Sequence, residues 1–476
     1  MESGRFWLHT LGCPKNQVDS DKLSGVLAAD GYLAADRPED ADLVVVNTCA
    51  FIEAARQESI GAVLELAAAR RPGARLVVTG CMAERYGDEL AAALPEADLV
   101  AGFGQALAPQ PVALGRRPRH PTASSSSFDL LSLSRPPATA PWAYVKVAEG
   151  CDRRCGFCAI PSFRGKQRSR PVDEVLAEVA SLASGDGPPL REVVLVAQDL
   201  ASFGRDHSGR RRRGPGEPDV PGAPPGAVHR RRTGRQPIVP LVRAVAELVA
   251  RVRLLYLYPS GLTEELVEAV LDTGVPYFDL SLQHVSRPHL ARMRRWGDGE
   301  RFLDRIARIR RADPEATFRS SFILGYPGET EEDHDALLAF LGEATLDWAG
   351  FFPFSREEGT HAAGLPDQVP AELALERLRE CAELQDEVTA RRRDALVGRR
   401  LRVLVDGPGV GRSVHEAPEI DGVVRLPAGL APGELTEVSI VSSAGVDLVG
   451  APVAQGADGL GAAPVGAAPG VEVGAR

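Results

Sequence analysis

The sequence predicts an α/β protein with an N-terminal parallel α/β domain, a central partial (β/α)6 barrel and a C-terminal small β-barrel. Apolar runs alternate with helix-spaced patterns over residues 1–104 and again over 142–396, which is typical of βα units and parallel sheets. Residues 397–452 switch to short alternating strands, which is too little chain for anything but a compact β-barrel. With 476 residues, 44% of them apolar, the chain can bury the cores of two to four domains.

The N-terminal domain contains three predicted strands, and each of them runs directly into a cysteine. The strands cover residues 6–10, 43–47 and 76–79, and the cysteines are Cys13, Cys49 and Cys81. Because the carboxyl ends of parallel strands line one edge of a sheet, where ligands collect, the three thiols are expected to converge there. Any one of them could instead be a small buried hydrophobe, as most free cysteines are. Three thiols at equivalent strand ends, two of them beside a glycine that lets the backbone approach a bulky ligand, favour a metal cluster.

The most informative stretch of the central region is residues 149–158, EGCDRRCGFC. It contains Cys151, Cys155 and Cys158, with three and then two residues between them. Structural zinc sites close four ligands and iron–sulfur clusters take four cysteines, so a trio with no fourth cysteine nearby indicates a cluster with one open iron. Such an iron can hold a substrate or a cofactor. The alternative is a zinc knuckle with a remote fourth ligand, although zinc spacings favour paired CxxC units.

Six strand candidates make up the central barrel. They cover residues 143–147, 192–197, 253–257, 277–281, 317–324 and 348–354. The cysteine trio of this region falls in the loop after the first strand, and chemistry on parallel barrels sits at that carboxyl face. A charged amphipathic helix from residue 371 to about 393 follows. Cys381 lies among leucines on this helix, so core packing is its expected role.

The C-terminal region contains four short strand candidates, at residues 401–405, 423–426, 435–441 and 446–449. Its carboxylates outnumber its basic residues, which favours a basic protein as the partner of this surface. The carboxylates on which this expectation depends are Glu416, Glu419, Asp421, Glu434 and Glu437.

Three segments have compositions that do not form a core. Residues 105–141, rich in Pro, Ala and Ser, are predicted to be a linker, and residues 453–476, mostly Gly, Ala and Val, a disordered tail. Residues 207–236 mix arginine runs with Pro and Gly and are predicted to be a disordered insertion in the central domain. These arginine runs are either an ordinary solvated loop or an electrostatic contact with RNA.

Composition also limits the class of protein. The formal net charge of -10 disfavours a wholly basic surface for nucleic acid but leaves room for a local basic patch. The sequence has no signal peptide and no apolar run long enough to span a bilayer, so we expect a cytoplasmic protein without membrane contact. Seven cysteines, an odd number, fit reduced thiols better than disulfides.

The cysteine motifs resemble those of the methylthiotransferase family of radical S-adenosylmethionine enzymes. The central trio, with Phe157 before its last thiol, is similar to the superfamily signature. The words LGCPKNQVDS, NTCAFI and EGCDRRCGFCAIPSFRGKQRSR resemble the branch that modifies an aspartate of ribosomal protein S12. The transfer-RNA branch typically has Gln-Met-Asn after its first cysteine. Near the C terminus, GRS and APEIDG resemble the TRAM domain that ends these enzymes.

This resemblance implies two 4Fe-4S clusters, one on Cys13, Cys49 and Cys81 and the other on Cys151, Cys155 and Cys158. The second cluster would cleave S-adenosylmethionine reductively to a deoxyadenosyl radical. That radical would take hydrogen from the aspartate β-carbon, which offers no acidic proton to an ordinary base. The first cluster would hold the sulfur, and a second S-adenosylmethionine would supply the methyl group. The expected partners are ribosomal protein S12 and a cellular electron donor, and a contact of the arginine runs with ribosomal RNA stays open.

The resemblance also implies which loops contact S-adenosylmethionine. The residues expected to do so are Phe157, near the adenine, Gln198, Gln283 and Gly325. His284, which follows Gln283, is equally well explained as a hydrogen-bonded structural histidine. Two alternative functions remain open at this point: the sister activity on an adenosine of transfer RNA, and a zinc-dependent RNA-binding or scaffold protein without chemistry.

Overall fold

The computed structural model describes residues 4–107, 129–209 and 236–453, with Ser208 and Gly209 described by their backbone alone. The middle of the predicted linker, nearly all of the predicted insertion and the predicted tail lie outside the described residues, at 108–128, 210–235 and 454–476. The described chain is mixed α/β, with parallel sheets followed by a closed β-barrel, and the predicted fold class is confirmed.

The first sheet is parallel and is covered by helices on both faces. Its elements are β1 (Arg5–Thr10), α1 (Pro14–Ala29), β2 (Leu33–Ala34), β3 (Leu43–Thr48), α2 (Glu53–Ala69), β4 (Arg75–Gly80), α3 (Cys81–Ala93) and β5 (Leu99–Val100). The strand order is β2-β1-β3-β4-β5. The central strand β3 is buried throughout, because Val44 packs in one apolar cluster with Val63 of α2 and Val45 in another with Leu23 of α1. The sequence does not predict β2 and β5, since two residues carry no periodicity.

The central region is a six-stranded partial barrel with its helices outside. Its elements are β6 (Trp142–Lys146), β7 (Ala148–Glu149), α4 (Ile160–Phe163), β8 (Arg168–Ser169), α5 (Val172–Leu182), β9 (Glu192–Val196), α6 (Ile238–Ala246), β10 (Arg251–Leu254), α7 (Glu264–Asp272), β11 (Tyr277–Gln283), α8 (Arg287–Arg292), α9 (Gly299–Ala312), β12 (Thr317–Leu324), α10 (Glu331–Ala344), β13 (Trp348–Pro353) and α11 (Ala371–Asp394). The parallel orders β10-β9-β6 and β11-β12-β13 are joined by a bridge between Leu257 and Leu280. All six predicted strands are present. None of the helices among the described residues is both long and apolar enough to cross a membrane.

The C-terminal region closes into a five-stranded barrel. Its strands are β14 (Arg400–Gly407), β15 (Val410–Arg412), β16 (Val424–Arg425), β17 (Leu435–Ala444) and β18 (Asp447–Pro452). They close in the order β14-β15-β16-β18-β17 around an apolar core that includes Val403 and Val438. The compact β-barrel is therefore confirmed, with β15 as one strand more than the sequence predicts.

The C-terminal barrel packs on the amino-terminal ends of the central strands. Glu192, the first residue of β9, accepts a 3.0 Å hydrogen bond from Arg412 of β15. Tyr277, the first residue of β11, donates a 2.6 Å hydrogen bond to Asp421. Arg251, the first residue of β10, donates to the backbone carbonyl of Arg412 at 2.9 Å. The C-terminal barrel thus lies opposite the carboxyl ends of these strands, where the loop of the second cysteine trio begins.

The expected acidic face of the C-terminal barrel is only partly present. Glu416 is fully buried and pairs with Arg393, and Asp421 is buried against Tyr277. The expectation that these two carboxylates face a partner is therefore wrong, because a charge pattern in sequence does not show which acids meet an internal arginine or tyrosine. The remaining acids of the set are exposed, namely Glu419, Glu434 and Glu437.

Candidate active site

The first cysteine trio lies at the carboxyl edge of the N-terminal sheet. Cys13 caps α1, Cys49 directly follows β3, and Cys81 is the first residue of α3, directly after β4. The side-chain amide of Asn16 donates to the backbone carbonyls of Leu11, at 2.9 Å, and Thr48, at 3.0 Å. The Cys81 thiol lies 3.5 Å from the oxygen of the same amide. One buried asparagine therefore holds the three cysteine-bearing strand ends together.

Gly12 allows two cysteines of this trio to approach each other. Its backbone has a φ of 94°, in the left-handed region that favours glycine. A Cβ at this position would lie 2.9 Å from the Cβ and 3.0 Å from the Sγ of Cys49, so any side chain would collide with that cysteine. The space left by the missing side chain of Gly12 is therefore occupied by Cys49, and it is not open to a ligand.

The pKa values of the first trio reflect how closely its thiols lie. Burial raises the pKa of Cys49 to about 12, and the neighbouring Cys13 and Cys81 add to this rise. Burial likewise raises the pKa of Cys81. Burial acts in the same direction on Cys13, but the charges of Lys15 and Arg164 outweigh it and lower the pKa of the Cys13 thiol. Metal ligands are thiolates, so binding a cluster here would release protons from Cys49 and Cys81, the two thiols whose pKa is raised.

The second trio lies in the loop between β7 and α4. Cys151 donates its N–H to the carbonyl of Gly165 at 3.1 Å, and Cys158 donates its N–H to the carbonyl of Cys155 at 3.2 Å, so the loop folds back on itself. Burial raises the pKa of Cys151 to about 11 and that of Cys158 to about 12, and the neighbouring Cys155 adds to both. Arg295 donates an N–H to the Cys155 sulfur at 3.3 Å.

The donor sets of both trios fit a cluster that leaves one iron without a protein ligand. Each set supplies three thiols, and all of these cysteines are free of disulfides. The seventh cysteine, Cys381, is fully buried in the apolar core of the central barrel, which confirms its expected packing role. The cysteines of the chain therefore provide no fourth thiol for either trio.

Arg164 connects the two trios. It ends α4, six residues after Cys158, and donates an N–H to the Cys81 sulfur of the first trio at 3.0 Å. The same guanidinium donates to the side-chain oxygen of Asn16 at 2.6 Å. The short helix that follows the loop of the second trio therefore ends in a residue that contacts a cysteine of the first.

The chain segment after β10 also borders both trios. The ammonium of Lys15, two residues after Cys13, lies 3.1 Å from the ring centroid of Tyr256. The ring of Tyr258 faces the guanidinium of Arg153, at 3.8 Å, and that of Arg295, at 4.2 Å. Arg153 lies between the cysteines of the second trio and Arg295 contacts one of them. One short segment at the carboxyl end of a barrel strand thus contacts residues that adjoin each trio.

A buried ionic cluster fixes the two parts of the site to each other. Arg164 donates to Asp19 of α1 and to Glu149 of β7, both at 3.0 Å, and Lys146 of β6 donates to Glu149 at 2.6 Å and also contacts Asp19. Two positive and two negative charges are thereby paired away from water. Burial raises the pKa of Glu149, but Arg164 and Lys146 outweigh burial and hold this pKa well below its usual range. The carboxylate therefore stays ionised.

The residues predicted to contact S-adenosylmethionine belong to loops around the second trio. Phe157 is half-buried and packs against the apolar core of the barrel, and Gln198 donates its amide to Glu149 at 2.9 Å. Gln283 ends β11 with a φ of 72°. A Cβ at Gly325 would lie 2.4 Å from the Cβ of Ala374, so this glycine is needed where the loop packs on α11. Contact of these four residues with the cofactor stays a prediction.

His284 has the structural role that the sequence leaves open. Its ring is fully buried, and its Nδ1 accepts a 3.1 Å hydrogen bond from the backbone N–H of Ser286. Burial and the neighbouring His289 lower its pKa well below the usual histidine range. The imidazole is therefore neutral and positions the turn after β11.

Sequence reasoning did not single out Lys15, Arg164 or Arg295 as site residues. Lysine and arginine are mostly exposed in proteins, so their default interpretation is a solvated surface side chain. Lys15 and Arg164 lie within the motif words quoted above, next to the cysteines, and that proximity is the signal that could have identified them. Arg295 follows α8, far from either motif, and no sequence signal points to it.

Family models match three parts of the chain. The description "Uncharacterized protein family UPF0004" covers residues 5–102, "Radical SAM superfamily" covers 145–341, and "TRAM domain" covers 397–453. The boundaries of the first and last of these matches fall close to those of the parallel sheet and the closed barrel described above.

Curated relatives match nearly the whole chain. A protein of Moorella thermoacetica named "Ribosomal protein uS12 methylthiotransferase RimO" is 41% identical over 448 residues, covering 90% of this chain and 95% of the relative. A protein of the same name from Saccharopolyspora erythraea is 40% identical and covers 96% of both chains. Among solved structures, the cobalamin-dependent S-adenosylmethionine radical enzyme OxsB is 12% identical with a TM-score of 0.42, covering 81% of this chain and 56% of that chain.

Proposed function

Because this chain belongs to the uS12 methylthiotransferase family of radical S-adenosylmethionine enzymes, we propose that it adds a methylthio group to an aspartate of ribosomal protein S12. The modified atom is the β-carbon of that aspartate. The proposal is carried by one observation, the hydrogen bond from Arg164, at the end of the short helix α4 that follows the loop of the second trio, to the Cys81 sulfur of the first. Two sets of three thiols that lie this close, with a residue just after one set bonded to a thiol of the other, can act on one substrate atom.

Radical S-adenosylmethionine chemistry requires that cofactor and an iron–sulfur cluster, and we assign two clusters to this chain. Cys151, Cys155 and Cys158 would hold one, and Cys13, Cys49 and Cys81 would hold the other. When bound, the cluster of the second trio would supply the electron that cleaves S-adenosylmethionine, and the cluster of the first trio would hold the sulfur that enters the product.

The residues around the thiols have distinct tasks in this proposal. Arg164 donates an N–H to Cys81 of the first trio, and Arg295 donates one to Cys155 of the second. Hydrogen bonds to the sulfurs of a cluster raise the reduction potential of that cluster. Phe157, Gln198, Gln283 and Gly325 are the proposed contacts of S-adenosylmethionine.

Ribosomal protein S12 is the proposed macromolecular partner. The support for this partner is the name of the curated relatives, because the exposed carboxylates of the C-terminal barrel are balanced by its exposed arginines, Arg399, Arg400, Arg402 and Arg425. A cellular electron donor is also required, since reductive cleavage consumes an electron. The arginine runs for which the sequence leaves an RNA contact open lie outside the described residues.

The test is to incubate the anaerobically purified, iron-loaded protein with S-adenosylmethionine and a reductant, offering S12 and transfer RNA in separate reactions. Mass spectrometry should detect a methylthio group on the S12 aspartate and none on the transfer RNA. Product on a transfer-RNA adenosine alone, or zinc without iron in the purified protein, would contradict the proposal.

Two variants sharpen this experiment. Replacing Cys13, Cys49 and Cys81 by Ala should abolish methylthio product while the second trio still supports cleavage of S-adenosylmethionine. The matched control is Cys381→Ala, which removes a buried thiol that belongs to neither trio and should leave product formation intact. Methylthio product from the triple variant would show that the first trio does not hold the sulfur.

A further inference from the structure

Lys15 is a buried cation that donates no hydrogen bond to the described residues. The residue is only 6% exposed, and its ammonium lies over the ring of Tyr256. Every other buried lysine or arginine in the described chain donates at least one hydrogen bond. Those residues are Lys22, Arg135, Lys146, Arg164, Arg170, Arg251, Arg253, Arg377, Arg393 and Arg412.

Burying the Lys15 ammonium in this way costs free energy in the protein without substrate. A buried ammonium without an acceptor loses its hydration, and a cation–π contact recovers only part of that free energy. The nearby carboxylates are already engaged: Asp279 accepts from the backbone N–H of Tyr256 at 2.9 Å and from Arg319 at 3.2 Å, and Glu149 belongs to the ionic cluster of Arg164. Apart from the Cys13 thiol, whose pKa this ammonium lowers, the neighbouring anions of the described chain are therefore engaged elsewhere.

The position of Lys15 fits an anion that arrives with the substrate. The residue lies in the first turn of α1, two positions after Cys13 of the first trio. It contacts Tyr256, two positions before the Tyr258 ring that packs against Arg153 and Arg295 beside the second trio. A substrate atom that must be reached from both trios would pass close to this ammonium.

We propose that Lys15 binds the carboxylate of the target aspartate and so selects an acidic side chain as the substrate. The carboxylate carbon of an aspartate is bonded directly to its β-carbon, so a cation that holds the carboxylate also fixes the carbon to be modified. An adenosine base carries no anionic group at the equivalent place. This inference rests on the proposed function, because it concerns the recognition of the same substrate.

The test compares two forms of ribosomal protein S12, one with the natural aspartate and one with that residue changed to asparagine. Binding of each form to the iron-loaded full chain is measured by titration, and KM and kcat are measured for the aspartate form. A hydrogen bond to a charged partner contributes about 1.5–3 kcal/mol, so the wild type should bind the aspartate form about tenfold or more tighter than the asparagine form.

Lys15→Met keeps the length of the side chain and removes its charge. It should bind both forms of S12 alike, with KM for the aspartate form raised about tenfold or more, while its iron content equals that of the wild type. Lys15→Arg retains a donor and should keep part of the preference. The matched control is Lys166→Met, which replaces an exposed lysine and should keep the full preference for the aspartate form.

Three outcomes would overturn the inference. Lys15→Met could keep the full preference for the aspartate form, which would show that another group recognises the carboxylate. Both Lys15 variants could lose iron, which would assign the lysine to the metal cluster. A wild type that neither binds nor modifies S12 would contradict the proposed function itself, and the inference with it.

Discussion

Replacing Arg164 by Gln tests whether the two cysteine trios are held together by the buried ionic cluster. The guanidinium balances Asp19 and Glu149 together with Lys146, and all four residues are buried. Without it, two carboxylates share one ammonium, and the cluster carries a net charge of -1. Removing one partner of a buried ion pair typically costs about 3–5 kcal/mol, because the charge left behind is neither hydrated nor paired. The free energy of unfolding should fall by that amount.

The assay is urea unfolding followed by circular dichroism, under anaerobic conditions, together with iron analysis. The matched control is Arg308→Gln, which breaks a 3.0 Å ion pair with Glu264 in which the two side chains are 51% and 70% exposed. An exposed pair contributes at most about 1 kcal/mol, so the control should unfold almost as the wild type does. Because Arg164 also donates to Cys81, its variant should lose iron from the first trio more readily than the control.

A second substitution separates charge from packing. Adding Asp19→Asn to Arg164→Gln restores a neutral cluster and should recover part of the lost stability, which a double-mutant cycle measures directly. Equal unfolding of the Arg164 and Arg308 variants, or no recovery on adding Asp19→Asn, would refute the idea that a buried charge balance joins the two parts of the site.

Two further predictions concern cluster content and pH. Replacing Cys151, Cys155 and Cys158 by Ala should lower the iron content from about eight to about four atoms per chain, and unchanged iron in anaerobic metal analysis would contradict the assignment of two clusters. Burial raises the pKa of Asp421 from 3.8 to about 6, so the folded protein holds this proton more tightly than the unfolded chain, and stability should fall as the pH rises between these values. Asp421→Asn should flatten that part of the profile of melting temperature against pH, and an unchanged slope in the variant would rule out Asp421 as its source.

The sequence predicted the strands that carry the site because their apolar runs are long and end at cysteines. The six central strands and the three cysteine-bearing strands of the first sheet are all present. The strand that it missed in the C-terminal barrel, Val410–Arg412, lies in a stretch with Gly407, Gly409 and Gly411, which has the composition of a turn.

The charged residues of the site could not be predicted in the same way. Lys15, Asp19 and Arg164 have the residue types of a solvated surface, and only the fold shows that they are buried. The same limit explains the C-terminal acids, where Glu416 and Asp421 differ from their exposed neighbours in meeting an internal partner. Periodicity records the apolar faces of helices and strands, whereas the pairing of charges depends on contacts between distant segments.

The seam between the central and C-terminal barrels limits how chimeric enzymes can be built from this family. Glu192 of the central barrel receives hydrogen bonds from Arg253 on its own side, at 2.8 Å, and from Arg412 of the C-terminal barrel, at 3.0 Å. A foreign C-terminal barrel without an arginine at the matching position would remove the hydrogen bond from Arg412. The buried Glu192 carboxylate would then keep only its bond from Arg253, and water could not replace the lost one. Module exchange should therefore transplant both sides of the seam together, or change Glu192 to a neutral residue in the same step.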